Sequence, residues 1–187
     1  MDQTTTIYVV AAIVAAVIVI AVLVMLRKRR TDRLRTHFGP EYDHAVLETG
    51  RRGKAEADLR DREKRVDKLT IRPLTATERD FYLASWDKVQ TQFVDDPGGS
   101  VIQADQLLGV VMSTCGYSIA DFDQRAADIS VDHPLVVEHY RAGHEVAVRH
   151  QSGQAATEDL RQAMIHYRTL FNELVGVPET VRVKMAS

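Results

Sequence analysis

The most pronounced hydrophobic pattern along the chain is an unbroken apolar stretch near the N-terminus. Residues 7–26 carry no charge, and 13 of these 20 positions are Ile, Val or Leu and five are Ala. As a helix rising ~1.5 Å per residue, the stretch would cross the ~30 Å hydrocarbon core of a bilayer. No basic residue precedes it and four follow directly, which argues against a cleaved signal peptide. The pattern predicts a transmembrane helix over 7–26 after a short tail over 1–6.

The rest of the chain alternates apolar and polar positions at three- and four-residue spacing, which is typical of amphipathic helices. Pro40 favours a helix start, and Thr75 with Glu78 forms a capping-box pattern. The apolar positions of each helix form a stripe that is expected to face a core. Phe81 in one helix and Leu135 at the start of another are among the residues expected to point inward. Helices joined by short links pack as antiparallel neighbours. The predicted fold is therefore all-α, with a transmembrane helix, a juxtamembrane charged helix and an antiparallel helical bundle.

Composition shifts divide the chain into further segments. We expect a basic juxtamembrane segment over 27–36, a charged helical spacer over 37–72, a helical bundle over 73–176 and a C-terminal tail over 177–187. Within the spacer, residues 54–68 include 11 charged side chains out of 15. This density indicates a solvated helix that stands between the membrane and the bundle.

The net charge of −2 over 187 residues conceals an uneven distribution. Residues 1–26 sum to −1, residues 27–35 to +5 and residues 36–187 to −6. Basic residues close to a membrane segment are retained in the cytoplasm, so the distribution predicts an outside N-terminus and a cytoplasmic body. A single cysteine excludes an internal disulfide framework and agrees with a reducing compartment. The alternative topology places the body outside the cytoplasm.

The basic block has two interpretations. It serves as the topology signal alone, or it also binds anionic lipid headgroups at about 1 kcal/mol per residue. The candidate headgroup residues are Arg27, Lys28, Arg29, Arg30, Arg33 and Arg35. Nucleic acid is disfavoured as a partner because the acidic body repels phosphate. Two pairs of alanines spaced by four residues, Ala11 with Ala15 and Ala12 with Ala16, form a pattern that is compatible with a homodimer through the apolar helix.

Tests for catalytic or metal chemistry give no positive result in the sequence. Four histidines at 133, 139, 144 and 150 are spaced by six, five and six residues, and none of these spacings puts two of them on one helix face. The Gly-rich segment 50–55 lacks the spacing of a phosphate-binding loop. Cys115 lies on an apolar stripe and is expected in the core. The sequence therefore predicts no catalytic residue, metal or cofactor.

The densest polar region after the basic block begins at position 121. It is the predicted partner surface, because contact centres favour arginine and aromatic residues; its members are Asp121, Asp123, Arg125, Asp128, Asp132, His133, Glu138, Tyr140 and Arg141. The competing interpretation is a salt-bridged junction that holds helices together. A further hypothesis uses His133, Glu138, Tyr140 and Arg141 in a small membrane-tethered enzyme or ligand-binding bundle.

Several short segments also carry a resemblance. They are 38–43 (FGPEYD), 64–66 (KRV), 93–97 (FVDDP), 124–128 (QRAAD), 130–134 (SVDHP) and 157–162 (TEDLRQ). They resemble a family of bacterial single-pass membrane-anchored or secreted helical proteins, over nearly the whole region after the apolar stretch. The resemblance implies a bacterial source and an N-terminal hydrophobic segment followed by helices, and it assigns no activity. Together with the residue patterns, it leads us to expect an interaction or scaffold module at the cytoplasmic face, with a protein partner yet to be identified.

Overall fold

The computed structural model describes the backbone of residues 3–118 and 120–176, and side chains from residue 13 onward. These residues form eight helices and no strand, which confirms the all-α class. In chain order the helices are α1 (Gln3–Phe38), α2 (Pro40–Thr49), α3 (Arg52–Val66), α4 (Ala76–Gln92), α5 (Pro97–Cys115), α6 (Phe122–Asp132), α7 (Val137–Gln151) and α8 (Thr157–Val175). The predicted C-terminal tail lies outside the described residues.

Helices α4 to α8 enclose the main core around α8. The apolar stripe on α8 is buried throughout, because its residues recur every three or four positions: Leu160, Ala163, Met164, Tyr167, Leu170, Phe171 and Leu174. Trp86 of α4 stacks on Phe171 with ring centroids 4.6 Å apart. Cys115 is buried in this core as predicted, and burial raises the pKa of its thiol.

A second hydrophobic core lies in the segment that the sequence predicts to be a solvated spacer. It is formed by the C-terminal part of α1 with α2, α3 and one residue of α6, and its buried members are Leu34, Phe38, Tyr42, Ala45, Ala55, Leu59, Val66 and Val131. The apolar stripe of α3 is thin, but its small Ala55 allows close packing, and Arg62 is the one charged residue of α3 that is buried on the same face. Helix α6 joins the two cores, since Val131 lies in the second core and Ile129 in the main core.

The helix ends follow local chemistry. Thr75 and Glu78 form the predicted capping box, and the carboxylates of Asp96 and Asp121 accept backbone hydrogen bonds at the starts of α5 and α6. Gly116 ends α5 in the left-handed conformation. A Cβ at Gly116 would collide with the carbonyl oxygen of Thr70, so only glycine lets the 67–75 connection pass so close.

Two inward predictions were wrong. Phe81 is 65% exposed. The buried stripe of α4 runs through Tyr82, Trp86 and Val89, and Phe81, which directly precedes Tyr82, lies beside this stripe and faces solvent. Leu135 is 74% exposed because α6 continues to Asp132 and α7 begins only at Val137. The segment between them is a turn, which leaves Leu135 at the surface.

Helix α1 is continuous from Gln3 to Phe38, and among its side chains from residue 13 onward the ones buried in the second core are Leu34 and Phe38. Among the residues that the structure describes, no helix meets the combined length and apolarity needed to cross a membrane. The predicted transmembrane helix over 7–26 is therefore not supported by this test. Positions 7–12 of that prediction, and the Ala11 and Ala12 of the dimer pattern, have side chains outside the described part of the chain.

The contact between α7 and α8 predicts opposite effects for two helical glycines. A Cβ at Gly143 would lie 2.5 Å from the fully buried ring of Tyr167, whereas a Cβ at Gly109 of α5 meets nothing within 4 Å. We expect Gly143→Ala to lower the free energy of unfolding by about 1–3 kcal/mol through overpacking. Gly109→Ala should raise it by about 0.5–1 kcal/mol through helix propensity.

Urea unfolding of the full chain, followed by the fluorescence of the single Trp86, measures both changes. Equal effects of the two substitutions would contradict the close α7–α8 contact.

Candidate functional site

A buried carboxylate lies where the two cores meet. Glu41 is fully buried in the first turn of α2, where Pro40 sets the helix start. Its Oε1 accepts hydrogen bonds from Arg62 Nη1 of α3 at 2.6 Å and from Arg141 Nη2 of α7 at 2.8 Å. Its Oε2 accepts a third from Arg141 Nη1 at 2.6 Å, so Arg141 binds the carboxylate through both oxygens. One side chain thus connects three helices.

The charges around Glu41 balance. Arg62 also donates through Nε to Asp58 at 2.8 Å and through Nη1 to the buried Ser130 of α6 at 3.3 Å. Two carboxylates therefore face two guanidinium groups. Burial of Glu41 raises the pKa of its carboxyl, but the hydrogen bonds and charges of Arg141 and Arg62 outweigh burial and hold the pKa below its ordinary value.

A second set of polar contacts surrounds α6. Asp128 is buried and accepts hydrogen bonds from Arg65 Nε of α3 at 3.1 Å and from Gln124 at 2.7 Å. Arg125 donates to the Tyr140 hydroxyl at 3.1 Å and to the carbonyl oxygen of Ala120 at 2.6 Å. Burial raises the pKa of Tyr140 to about 12, assisted by the charge of Asp105. These side chains connect helices to one another.

The predicted partner surface therefore separates into two groups. Four of its residues form contacts between helices: Asp128, Tyr140, Arg141 and Arg125. His133 is half-buried, and its Nδ1 lies 3.4 Å from Glu173. Asp121, Asp123, Asp132 and Glu138 are exposed, although Asp121 also caps α6 and Asp132 accepts a hydrogen bond from Tyr117 at 2.7 Å. The nine residues do not form one continuous patch.

An open groove of about 690 Å³ lies between α2, α6 and α7. It includes three of the predicted residues, Asp121, Asp123 and Arg141; the remaining lining is His44, Glu48, Phe122, Ala126, His144 and Glu145. The His144 ring stacks on Phe122 at 3.6 Å between centroids. Four carboxylates against one arginine make this groove acidic.

The histidines are distributed over several contacts. The Nδ1 atoms of His139 and His166 lie 2.9 Å apart across α7 and α8. Burial and the neighbouring His139 lower the pKa of His166. Among the described residues, no group of three or more His, Cys, Asp or Glu side chains could hold a metal ion.

The six predicted headgroup residues lie on different sides of α1. Arg33 pairs with Glu63 at 3.3 Å and Arg35 with Asp43 at 3.4 Å, both at the surface. Lys28 and Arg29 are exposed. Arg27 and Arg30 line a groove together with residues of α3.

Sequence reasoning missed the central roles of Glu41 and Arg62. Both occupy positions of an apolar stripe, since Glu41 lies four residues before the buried Ala45 in α2, and Arg62 lies three after Leu59 and four before Val66 in α3. A charged residue on a buried stripe needs a partner of opposite charge. That pattern is the signal that could have identified the pair.

Comparisons with known proteins add no functional assignment. No protein-family model matches this chain, and no curated protein or solved structure is significantly similar to it. The resemblance to bacterial membrane-anchored helical proteins stays a prediction.

Removing the buried charge tests the junction. Glu41→Gln removes the buried negative charge that Arg62 and Arg141 share, so that Asp58 alone faces the two guanidinium groups, and we expect the free energy of unfolding at neutral pH to fall by about 3–5 kcal/mol. Glu48→Gln is the matched control on the same helix, because Glu48 is exposed and its contact with His44 is 3.9 Å long. It should change the stability by less than about 1 kcal/mol.

Because the pKa of Glu41 is lowered in the folded state, the difference in the free energy of unfolding between wild type and Glu41→Gln should depend on pH. The stability contributed by ionised Glu41 is fully present above the unfolded-state pKa of about 4.3 and is lost as the pH falls through the folded-state value. Urea unfolding between pH 7 and pH 3 should therefore show the difference between wild type and Glu41→Gln shrinking in acid. A difference that stays constant, or equal losses for both variants, would contradict the junction.

Proposed function

We propose that this chain is a single-pass membrane protein whose helical body is an interaction or scaffold module at the cytoplasmic face of a bacterial plasma membrane. The observation that carries the proposal is the exposure of the apolar part of α1. Eleven large apolar side chains between positions 13 and 26 are each 44–60% exposed. A helix that docks on protein buries one stripe, whereas these residues cover every side of α1.

Length reconciles this proposal with the absence of a membrane span among the described residues. The described apolar side chains cover positions 13–26, which would rise about 21 Å as a helix. The sequence adds six uncharged residues at 7–12. The resulting 20 residues match the ~30 Å hydrocarbon thickness.

The proposed orientation rests on the basic residues after the apolar stretch. Arg27, Lys28, Arg29 and Arg30 follow it directly, and no Lys or Arg precedes it. Retention of these charges in the cytoplasm places the body there as well.

The acidic groove supports an interaction role for the body. Its carboxylates, including Asp121, Asp123 and Glu145, favour a partner segment that carries basic residues. The alternative of a small enzyme or ligand-binding bundle receives less support. Of its four proposed residues, Tyr140 is fully buried, Arg141 binds Glu41 and Glu138 is exposed, so they do not converge on one cavity.

Charged substitutions in the apolar stretch test the anchor. Val17→Arg combined with Ile20→Arg should cost about 5–7 kcal/mol of insertion free energy, which is comparable to the whole contribution of the apolar residues. The control combines Leu47→Arg and Val94→Arg, two exposed positions outside the stretch. After alkaline extraction of membranes, the wild type and the control should stay in the pellet and the first variant should be released. Release of the wild type would contradict anchoring.

A reporter fused after Ser187 tests the orientation. We expect a fluorescent protein at this position to be fluorescent and alkaline phosphatase at the same position to be inactive, because phosphatase requires an oxidising compartment. Active phosphatase without fluorescence would place the body outside the cytoplasm, as in the alternative topology.

A further inference from the structure

Two helix faces form a groove immediately after the exposed apolar part of α1. Helix α1 contributes Arg27, Arg30, Thr31 and Leu34, and α3 contributes Arg52, Gly53, Glu56 and Arg60. The groove is open and has a volume of about 480 Å³. The spacing on α1 is three, four and seven residues, which places its four members on one face. The reversal of the chain through α2 brings α3 beside this face.

The groove concentrates positive charge. Four arginines, Arg27, Arg30, Arg52 and Arg60, face one carboxylate, Glu56. Its Oε1 accepts hydrogen bonds from Thr31 at 2.8 Å and from the Tyr42 hydroxyl at 2.9 Å, and it lies 3.4 Å from Arg52 Nε. Glu56 therefore offsets one of the four arginine charges, and the groove keeps a net positive charge. An anion is therefore the ligand that this groove favours.

The arginines of α3 are held in place by their Nε atoms. Arg52 Nε donates to the Tyr42 hydroxyl at 2.7 Å, and Arg60 Nε donates to the carbonyl oxygen of Glu56 at 2.8 Å. Neither Arg27 nor Arg30 forms an ion pair with another described residue. The α3 start has no side-chain cap and no acidic residue in its first turn, so its helix dipole adds to the positive potential.

The ligand chemistry follows from the residue type and the depth. Planar guanidinium groups bind phosphate through two parallel hydrogen bonds. Arg27 is the first residue after the apolar stretch, and Arg30 lies about 4.5 Å further along the helix axis. With 7–26 in the hydrocarbon, the groove opens at the depth of the headgroups.

We propose that this groove binds the phosphate of an anionic phospholipid headgroup between Arg27 and Arg30 of α1 and Arg52 and Arg60 of α3. The inference rests on the proposed membrane anchor and adds a binding site to it. Since α3 belongs to the folded body, a lipid bound here attaches the body itself to the membrane surface. The sequence concealed the site because 22 positions, 30 to 52, separate the two arginine pairs along the chain.

Calorimetric titration of the full chain in an uncharged detergent tests the site. The ligands are short-chain phosphatidylglycerol, short-chain phosphatidylcholine and inorganic phosphate. We expect saturable binding of phosphatidylglycerol, with phosphatidylcholine and inorganic phosphate at least tenfold weaker. Arg52→Gln with Arg60→Gln should weaken phosphatidylglycerol binding at least tenfold. The control, Arg79→Gln with Arg161→Gln, removes the same charge from exposed positions elsewhere and should leave binding unchanged.

Each outcome decides the proposal. Unchanged phosphatidylglycerol binding in the α3 variant would overturn it, and equally tight binding of inorganic phosphate would overturn the lipid as the source. If the α3 variant unfolds, Arg27→Gln with Arg30→Gln gives the same test on α1. Alkaline extraction separates this inference from the anchor: release of the wild type refutes the anchor, whereas retention without lipid preference refutes only the groove.

Discussion

The ionised carboxylate of Glu41 is the interaction on which the arrangement of the two cores depends. It lies fully buried at the start of α2 and is bound by Arg62 from α3 and by Arg141 from α7. Burying a charge is costly unless hydrogen bonds and opposite charges compensate for it. Here three short hydrogen bonds do so, and they require the N-terminal helices and the bundle to meet in one relative position. Hydrophobic contact alone would permit neighbouring positions, because it is not directional.

The junction has a consequence for the way the apolar segment is attached. Helix α1 runs without interruption from its exposed apolar part to Leu34 and Phe38 in the second core. That core meets the main core through α6 and through Glu41. No flexible spacer therefore separates the apolar part of α1 from the body among the described residues, in contrast to the solvated helix that the charge density of 54–68 suggests. A surface bound at the basic groove would fix the orientation of the whole body.

The sequence allowed the regular parts of the fold to be predicted, because local rules determine them. The capping box of Thr75 and Glu78 and the buried position of Cys115 on an apolar stripe follow from residue spacing and backbone preference. Phe81 and Leu135 were placed wrongly because periodicity defines a stripe only to within one neighbouring position and because the start of α7 depends on tertiary packing. The candidate partner residues were identified as polar and dense, but separating interior contacts from exposed side chains required knowing that α3 and α7 both approach Glu41. Such long-range pairing leaves only a weak trace in the sequence, the charged residue on an apolar stripe.

The coupling between Glu41 and Arg141 tests the central claim most directly. A double-mutant cycle with Glu41→Gln, Arg141→Gln and the combined variant, measured by urea unfolding of the full chain at neutral pH, isolates the interaction of the two side chains. The account predicts a coupling free energy of about 1–3 kcal/mol, with the second substitution costing much less once the first is present. Effects that add to within about 0.5 kcal/mol would show that α2 and α7 are held together by other contacts and would contradict the account.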